Sequence, residues 1–248
     1  MAAYSLLGLN WDYSRFEVTE HDLATFLAST ELSAASLTMP LKDEAFNLVS
    51  TSDSPALAAR AVNTIVRSEF GWVGYNTDVF GLTAALAGQT FETALVLGSG
   101  ATARNALLAI RALNPSATVG IHARNLATAD GVVSFGLNQG LNVSMVGGKP
   151  DLSLFDLTIS TLPPDADTTG WFAGQPKGTL LDVAYKPWPS QLAKLWLASG
   201  GNVVSGIQML IWQAIAQIRI FKNGNVAAPL ENEQEIAEVM RTAALAEG

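Results

Sequence analysis

The fold of this chain is decided by the stretch TALVLGSGATARNALLAIRAL, residues 93–113. Its first five residues, Thr93–Leu97, form a short apolar run that is typical of a buried strand. The turn that follows is rich in glycine, and Ala101–Leu113 then has the composition and length of a helix. A strand, a tight turn and a helix in this order predict the opening half of a βαβ unit.

Strand-like and helix-like segments alternate outward from this stretch, which predicts an α/β fold. Four more strands are predicted downstream, at Ala117–Ala123, Leu141–Val146, Phe155–Ser160 and Thr179–Val183. Because short strands that are joined by such long connections pair in parallel, we expect them to form a parallel sheet. Three helices are predicted after them, at Pro189–Ala198, Ile207–Phe221 and Glu231–Ala246.

The N-terminal part of the chain has shorter patterns. They predict a helix that Thr19 and Asp22 cap and that runs to Ser29, an extended run at Ala35–Thr38, a strand at Ala61–Val66 and a helix from Asp78 to Gly88. The last of these has an apolar stripe at helical spacing. We expect Gly88 to end it, because glycine adopts the left-handed backbone that closes helices.

The composition restricts the function classes to which this chain can belong. With 248 residues, of which 49% are hydrophobic and 15% charged, it is long enough for one or two domains with ample cores. A formal net charge of −8 argues against a nucleic-acid partner. The absence of cysteine excludes disulfides and thiol chemistry, and with only His21 and His122 we expect no metal site.

The sequence predicts neither a membrane span nor a signal peptide. The most apolar segment, Gly206–Phe221, is interrupted by three glutamines and an arginine. It therefore falls short of the roughly 20 uninterrupted apolar residues of a spanning helix. No basic residue precedes the short apolar patch near the N-terminus, as one would in a signal peptide. We expect a cytoplasmic protein with no membrane partner.

The glycine-rich turn carries the pattern G-x-G-x-x-A at residues 98–103. The first glycine permits the tight turn, the second lets the backbone approach a pyrophosphate, and the alanine allows close packing of helix on strand. The free N–H groups and the positive dipole end of the helix N-terminus favour phosphate binding. The pattern therefore predicts a dinucleotide site formed by Gly98, Ser99, Gly100, Ala101, Thr102 and Ala103.

The end of the next predicted strand indicates which dinucleotide is bound. An NAD site places an aspartate or glutamate there, about 20 residues after the glycines, to bind the ribose 2′-hydroxyl. This chain has His122-Ala123-Arg124-Asn125 at that place and no carboxylate before Asp130. Because a guanidinium suits a 2′-phosphate, we predict that the cofactor is NADP and that Arg124 contacts its phosphate.

Three polar patches stand out in the N-terminal part. Lys42 lies just past the end of a predicted extended run, in a turn that a proline fixes. Asn63 lies inside an apolar run, and Asp78 opens a predicted helix. Taken singly, these residues have ordinary interpretations, as a surface lysine, a turn asparagine and a helix cap. Their meaning comes from the order in which they occur with motifs elsewhere in the chain.

Six motifs follow one another along the chain. They are T-x-P-x-K at residues 38–42, N-T at 63–64, N-T-D-x-x-G at 76–81, the glycine-rich turn at 98–103, D-V-x-Y-x-P at 182–187 and G-x-x-M-L-x-x-Q at 206–213. In this order they resemble the shikimate dehydrogenase family. The resemblance covers essentially the whole chain, and agreement of six ordered motifs by chance is improbable.

The resemblance implies a fold and a reaction. The fold is an N-terminal α/β substrate domain and a Rossmann-like NADP-binding domain, with C-terminal helices that return to the first domain. We accordingly predict a substrate-binding catalytic domain of residues 1–80 and 206–248 and an NADP-binding domain of residues 81–205. The implied reaction is the reversible, NADPH-dependent reduction of 3-dehydroshikimate to shikimate in aromatic amino-acid (chorismate) biosynthesis.

The resemblance also implies roles for individual residues. Lys42 and Asp78 are the expected catalytic pair. The ammonium would stabilise negative charge on the ketone oxygen and deliver a proton, while the carboxylate orients the ammonium. The other implied site residues are Thr38, Asn63, Tyr185 and Gln213 near the substrate, and Gly206 and Met209 on the cofactor side, with Met209 beside the nicotinamide.

A departure from the family near the N-terminus and two alternatives accompany this interpretation. Members of the family begin with a strand and loop that carry a Ser-x-Ser pair for the substrate carboxylate, and Met1 aligns just after that segment. We therefore expect weak shikimate binding by the 248-residue chain. The alternatives are a quinate/shikimate dehydrogenase and a non-catalytic NADP-binding protein of the same fold. Monomer and homodimer both stay open.

Overall fold

The computed structural model describes residues 2–246, and the chain divides into two compact units. The first unit comprises Met1–Phe80 and Ile211–Gly248, and the second comprises Gly81–Leu210. Each boundary falls within a helix. Thr77–Ala85 contains the first boundary, and Gly206–Asn223 contains the second.

The first unit is built from short helices and a small sheet. Its elements before the first boundary are α1 Ala2–Leu6, α2 Leu23–Ser29, β1 Ala34–Ser36, α3 Lys42–Leu48, β2 Thr51–Ser52, α4 Ser54–Ala59, β3 Thr64–Ser68 and β4 Gly71–Tyr75, and α5, Thr77–Ala85, follows. The strand order is β1-β3-β4-β2. Strand β3 is antiparallel to both β1 and β4, while β2 is parallel to β4.

A tight hairpin sets the register of this sheet. Ser68 pairs with Gly71 across the turn, and Gly71 has a φ of +111°, which glycine tolerates because it has no Cβ. Beyond the turn, Trp72 is buried in a hydrophobic cluster that also contains Ile65 and Leu27. The indole nitrogen of Trp72 donates a hydrogen bond to the Leu27 carbonyl at 3.3 Å, so its polar group is satisfied on burial.

The strand expected at Ala61–Val66 begins only at Thr64. The reason is that the amides of Ala61 and Val62 bond to the carbonyls of two helices, at Ala56 and Lys42, instead of to a neighbouring strand. That part of the prediction is wrong, because an apolar run alone does not show where its backbone hydrogen bonds go.

The cap expected for α2 is also absent. The helix begins at Leu23, and the side chain of Asp22 makes no hydrogen bond to its first turn. The carboxylate of Asp22 instead accepts a hydrogen bond of 2.6 Å from the hydroxyl of Thr19. The two residues predicted to cap the helix together therefore satisfy each other.

The second unit is a parallel sheet packed between helices. Its elements are β5 Thr93–Leu97, α6 Ala101–Leu113, β6 Thr118–His122, α7 Leu126–Asn138, β7 Asn142–Met145, β8 Leu157–Ser160, β9 Thr179–Asp182, α8 Gln191–Ala198 and β10 Asn202–Ser205. The order of its six strands is β10-β9-β8-β5-β6-β7, and all of these neighbours are parallel. Two helices follow, α9 Gly206–Asn223 and α10 Glu233–Ala246.

Strand β5 is buried on both faces, as its apolar run predicts. Val96 belongs to a hydrophobic cluster with Leu107 of α6, while Leu97 belongs to another cluster with Trp196 of α8. Successive side chains of a strand point to opposite faces, so helices cover both sides of this sheet. The predicted α/β class and the parallel sheet are confirmed. In the described part of the chain, no helix has the length and apolar character needed to span a membrane.

Candidate active site

Two charged side chains meet at the N-terminal ends of α3 and α5. Lys42 is the first residue of α3, Asp78 is the second residue of α5, and Lys42 Nζ lies 2.6 Å from Asp78 Oδ2. The aspartate side chain is 3% exposed, whereas the lysine side chain is 20% exposed. An ammonium that a buried carboxylate fixes, and that still reaches the surface, can donate a proton to a molecule bound beside it.

Asn63 holds the other oxygen of this carboxylate. Its side-chain nitrogen lies 2.8 Å from Asp78 Oδ1, 3.0 Å from Thr77 Oγ1 and 3.1 Å from Gln213 Oε1. Its side-chain oxygen accepts from the Thr77 amide and the Thr64 hydroxyl, each at 2.9 Å. Because Asn63 is almost fully buried, these partners replace the water that its amide would otherwise bind.

Helix α9 supplies two glutamines to this network. Gln213 meets Asn63, while Gln217 donates to Thr64 Oγ1 at 3.1 Å and accepts from Ser36 Oγ at 3.0 Å. Residues four apart lie on one helix face, so both amides point toward the same sheet. Gln217, Thr64 and Ser36 are not among the residues predicted for the site. Gln217 could have been predicted from its spacing, because it lies four residues after Gln213 on the same helix.

The backbone that carries Asp78 is anchored by the cap of another helix. Asp53 Oδ1 accepts from the amide of Ala56 in α4 at 2.9 Å and from the amide of Asn76 at 3.2 Å. The side chain of Asn76 in turn accepts from the amide of Asp78 at 3.1 Å. Burial raises the pKa of the Asp53 carboxyl, although the two backbone hydrogen bonds oppose this shift.

Thr38 stands outside this hydrogen-bond network. Its side chain is exposed, and its hydroxyl bonds to none of residues 2–246. Its carbonyl accepts from the amide of Leu41 at 2.9 Å, in the turn that leads into α3. The hydroxyl is therefore available to a ligand, one turn before Lys42.

In the second unit, the glycine-rich turn connects β5 to α6. Gly98 has a φ of +112°, and a Cβ built on it would lie 2.3 Å from Thr161 Oγ1. Gly100 is the N-cap of α6, and a Cβ built there would meet no atom within 4 Å. The two glycines therefore have different roles. Gly98 is needed for the turn itself, whereas Gly100 leaves open space in front of a helix.

The space at Gly100 fits a phosphate group. The amides of Ala101 and Thr102 begin α6, so no earlier carbonyl of the helix accepts from them, and its first turn contains no acidic residue. Ser99 Oγ lies 2.7 Å from Thr128 Oγ1 in α7, which fixes the tip of the turn. Ala103 is fully buried against the core, as close packing of helix on strand requires.

The remaining predicted residues of the second unit occupy separate places. Arg124 follows β6, is exposed, and lies with its guanidinium carbon 5.8 Å from the ring centre of Trp171. Met209 packs, partly buried, against the larger hydrophobic cluster. A Cβ on Gly206 would lie 2.2 Å from a main-chain oxygen, so only glycine fits at the start of α9. Tyr185 is 48% exposed, and its hydroxyl has no hydrogen bond within residues 2–246.

Asp182, in the D-V-x-Y-x-P motif, ties the end of β9 to α8. Its carboxylate accepts from the hydroxyl of Ser190, which caps α8, and from the amide of Ala184 at 3.2 Å. Burial raises the pKa of Asp182 above its ordinary value of 3.8, while these hydrogen bonds and one from Ser160 oppose the shift. The folded protein therefore holds the proton of this carboxyl more tightly than the unfolded chain does.

This shift predicts how the variant Asp182→Asn changes the dependence of stability on pH. The free energy of unfolding of the wild type, minus that of the variant, should be greatest below the ordinary pKa of 3.8. It should decrease as pH rises through the raised value, because the folded state then loses a proton that it binds better than the unfolded state. Urea unfolding of both proteins from about pH 3 to pH 7 measures this difference, and a difference that grows with pH would contradict the assignment.

Taken together, these features define an α/β protein of the dinucleotide-dependent oxidoreductase class. One unit has a glycine-rich turn and an open helix N-terminus after the strand β5, which suits a dinucleotide. The other unit has an ammonium–carboxylate pair surrounded by amide and hydroxyl groups, which suits proton transfer to a polar molecule.

Comparison with known proteins identifies the family. The model of the shikimate dehydrogenase substrate binding domain matches residues 1–65. A shikimate dehydrogenase (NADP(+)) from Aeropyrum pernix is 34% identical over 94% of this chain and 89% of its own. The crystal structure of Mycobacterium tuberculosis shikimate dehydrogenase is 32% identical, with a TM-score of 0.85 over 99% of this chain and 92% of that one. The chain belongs to the shikimate dehydrogenase family.

A second solved structure carries a ligand. Shikimate 5-dehydrogenase from Thermus thermophilus, solved in complex with shikimate, is 25% identical to this chain. The TM-score is 0.79, and the match covers 98% of this chain and 91% of that one. The fold that the sequence motifs imply is therefore shared with proteins whose function is known.

Proposed function

We propose that this chain is an NADP-dependent oxidoreductase acting on a CH–OH group, which reversibly reduces 3-dehydroshikimate to shikimate. The observation that carries this proposal is the 2.6 Å contact between Lys42 and Asp78, held by Asn63. The relatives support the same conclusion. The Aeropyrum protein is named for NADP(+), and the Thermus protein was solved with shikimate bound.

The proposal extends to the parts of the chain and to its setting. Residues 1–80 and 206–248 would bind substrate and carry the catalytic pair, while residues 81–205 would bind NADP. The reaction would belong to aromatic amino-acid biosynthesis and take place in the cytoplasm, in a monomer or a homodimer. The substrate would be a small cyclic hydroxy acid. The chain has a formal net charge of −8, and residues 2–246 contain no helix long and apolar enough to span a membrane.

Lys42 would act on the oxygen of the substrate. Reduction of a ketone builds negative charge on that oxygen, and a nearby ammonium both stabilises this charge and supplies the proton that completes the hydroxyl. Asp78 keeps the ammonium in one position through the contact of Nζ with Oδ2. In the reverse direction the same lysine would take the proton from the hydroxyl.

The amide groups around this pair would bind the hydroxyls of the ring. The side chains of Asn63 and Gln213 are hydrogen-bonded to each other, and Asn63 also contacts Asp78, so substrate hydroxyls would meet groups that are held in place. Thr38 and Tyr185 carry hydroxyls that are exposed and bonded to no residue in the described range, which leaves them free to bond to substrate.

The glycine-rich turn would hold the cofactor. NADPH, when bound, supplies the reducing equivalent for the carbonyl carbon. The pyrophosphate would lie over Gly100 and the amides that begin α6, with Gly98 and Ser99 shaping the turn. Gly206 and Met209, at the start of α9, would lie on the nicotinamide side.

Arg124→Ala should weaken NADP binding by about ten- to a hundredfold, because a charge-assisted bond to a phosphate is lost. Binding of NAD, which lacks the 2′-phosphate, should change little. Isothermal titration calorimetry with both cofactors measures the effect. Arg111→Ala, which removes an arginine from the last turn of α6, is the matched control and should leave both affinities unchanged. Equal losses of affinity for NADP and NAD in Arg124→Ala would show that this arginine does not contact the 2′-phosphate.

The decisive experiment for the proposed function is a turnover assay. Purified chain is mixed with shikimate and NADP, and the absorbance of the reduced cofactor is followed. Parallel reactions with quinate and with NAD compare the second polyol and the second cofactor. We expect turnover of shikimate with NADP. Cofactor binding without turnover of either polyol would overturn the proposal in favour of a non-catalytic NADP-binding protein.

A further inference from the structure

An aromatic cluster lies at the end of β6, beside Arg124. Trp171, from the segment between β8 and β9, packs edge-on against the ring of His122, with centroids 5.8 Å apart, and lies 6.2 Å from the ring of Phe172. Arg124 approaches the face of the same tryptophan, with its guanidinium carbon 5.8 Å from the ring centre. No family motif identified in the sequence includes Trp171.

The cluster is next to the glycine-rich turn. His122 is the register partner of Leu97, and its carbonyl accepts from the amide of Gly98 at 2.9 Å. His122 Nδ1 also lies 3.0 Å from the carbonyl oxygen of Val146, which fixes the imidazole. The tryptophan therefore rests on a ring that is itself held in place, at the edge of the region where the cofactor would bind.

We propose that Trp171 is a specificity-determining residue, which positions the Arg124 guanidinium to receive the 2′-phosphate of NADP. This proposal rests on the proposed function, because the role of Arg124 toward the 2′-phosphate is part of that function. Trp171 acts through the arginine and touches no reacting atom, so it is a positioning residue.

The surroundings of Arg124 explain why it needs such support. Its side chain is exposed and makes no hydrogen bond to any residue between 2 and 246, so the tryptophan ring is its partner in that range. A free arginine samples many rotamers, and ordering it on binding costs entropy. A ring face that attracts the guanidinium before the cofactor arrives reduces that cost, which is the general advantage of preorganisation.

A different role for Trp171 would give a different pattern. If the ring stacked on the adenine, or only supported the segment between β8 and β9, its loss would weaken NADP and NAD equally, since both carry the same adenine. Positioning of Arg124 affects only the cofactor that has a 2′-phosphate. The ratio of the two affinities therefore separates these roles.

The test compares Trp171→Leu with Trp171→Phe in the full chain. Both variants keep an apolar side chain against His122 and Phe172, but only phenylalanine keeps an aromatic face for the guanidinium. Calorimetry with NADP and with NAD gives the two dissociation constants. For Trp171→Leu we expect NADP binding to weaken about two- to fivefold with NAD binding unchanged. Trp171→Phe should keep most of the wild-type affinity for NADP.

Arg124→Ala supplies the background that tests the coupling. In this background Trp171→Leu should have no further effect on NADP binding, because the group that it positions is gone. Three results would each overturn the proposal for Trp171. They are equal losses of affinity for both cofactors, a loss of NADP affinity in Trp171→Phe as large as in Trp171→Leu, and additive effects in the double variant. If instead Arg124→Ala alone leaves NADP binding unchanged, the part of the proposed function that concerns the 2′-phosphate fails, and the inference fails with it.

Discussion

Replacing Lys42 with alanine should lower kcat by about 10²–10⁴-fold, which is the usual contribution of a general acid. Affinity for NADP should hardly change, because Lys42 belongs to the first unit and the glycine-rich turn to the second. The loss should fall on kcat, since the ammonium matters most when charge has developed on the substrate oxygen. Steady-state kinetics of shikimate oxidation, together with calorimetric titration of NADP, measure the two effects.

Two controls separate chemistry from folding. Lys42→Ala leaves the buried carboxylate of Asp78 without its ammonium, so the thermal midpoint of the variant must be measured beside the kinetics. Lys222→Ala removes the same charge from the last turn of α9 and should leave kcat unchanged. A folded Lys42→Ala enzyme that kept most of its kcat would show that another group delivers the proton.

The elements that the sequence predicts best are those with strong local signals. Helix α6 spans Ala101–Leu113, as expected, because the glycine-rich turn precedes it and Asn114-Pro115 follows. Strand β5 occupies Thr93–Leu97, also as expected, because its four buried apolar residues are followed directly by the glycine-rich turn. Both elements depend on residues that are neighbours in the chain.

The elements that escaped prediction depend on distant residues. Strand β4, Gly71–Tyr75, carries two glycines and is defined by its pairing with β3 and β2. Helix α3 begins at Lys42, where a turn was expected, and strand β10, Asn202–Ser205, was not expected as a sixth strand. Short segments have weak periodicity, so tertiary pairing decides their structure.

The candidate site also depends on contacts between residues that are distant in the chain, which the sequence does not show. The motifs indicated Lys42, Asp78 and Asn63, but not that Asn63 bridges residues up to 150 positions away along the chain. The supporting residue Gln217 lies outside the six motifs, and it joins the site only because its side chain meets Thr64, which the N-T motif contains. A polar network of this kind is a property of packing, and a sequence motif records only the members whose identity the chemistry fixes.

Gly98→Ala should lower the free energy of unfolding by about 2–4 kcal/mol. Its φ of +112° lies in a region that residues with a Cβ rarely adopt, and the added methyl would meet Thr161 Oγ1 at 2.3 Å. Thr161 would have to rotate and give up its 2.8 Å hydrogen bond to the Leu97 carbonyl. Urea unfolding measures the loss of stability, and calorimetry should show NADP binding lost with the shape of the turn.

Gly100→Ala is the matched variant that separates the turn from the cofactor. A Cβ at this position meets no atom within 4 Å, so the free energy of unfolding should fall by no more than about 1 kcal/mol, the usual effect at a helix N-cap. NADP binding should nevertheless weaken roughly tenfold or more, because the methyl would occupy the space in which the backbone approaches the pyrophosphate. Gly100→Ala with full NADP affinity would show that the phosphates lie elsewhere. The contrast between two glycines two residues apart thus distinguishes a residue needed for the fold from one needed for the ligand.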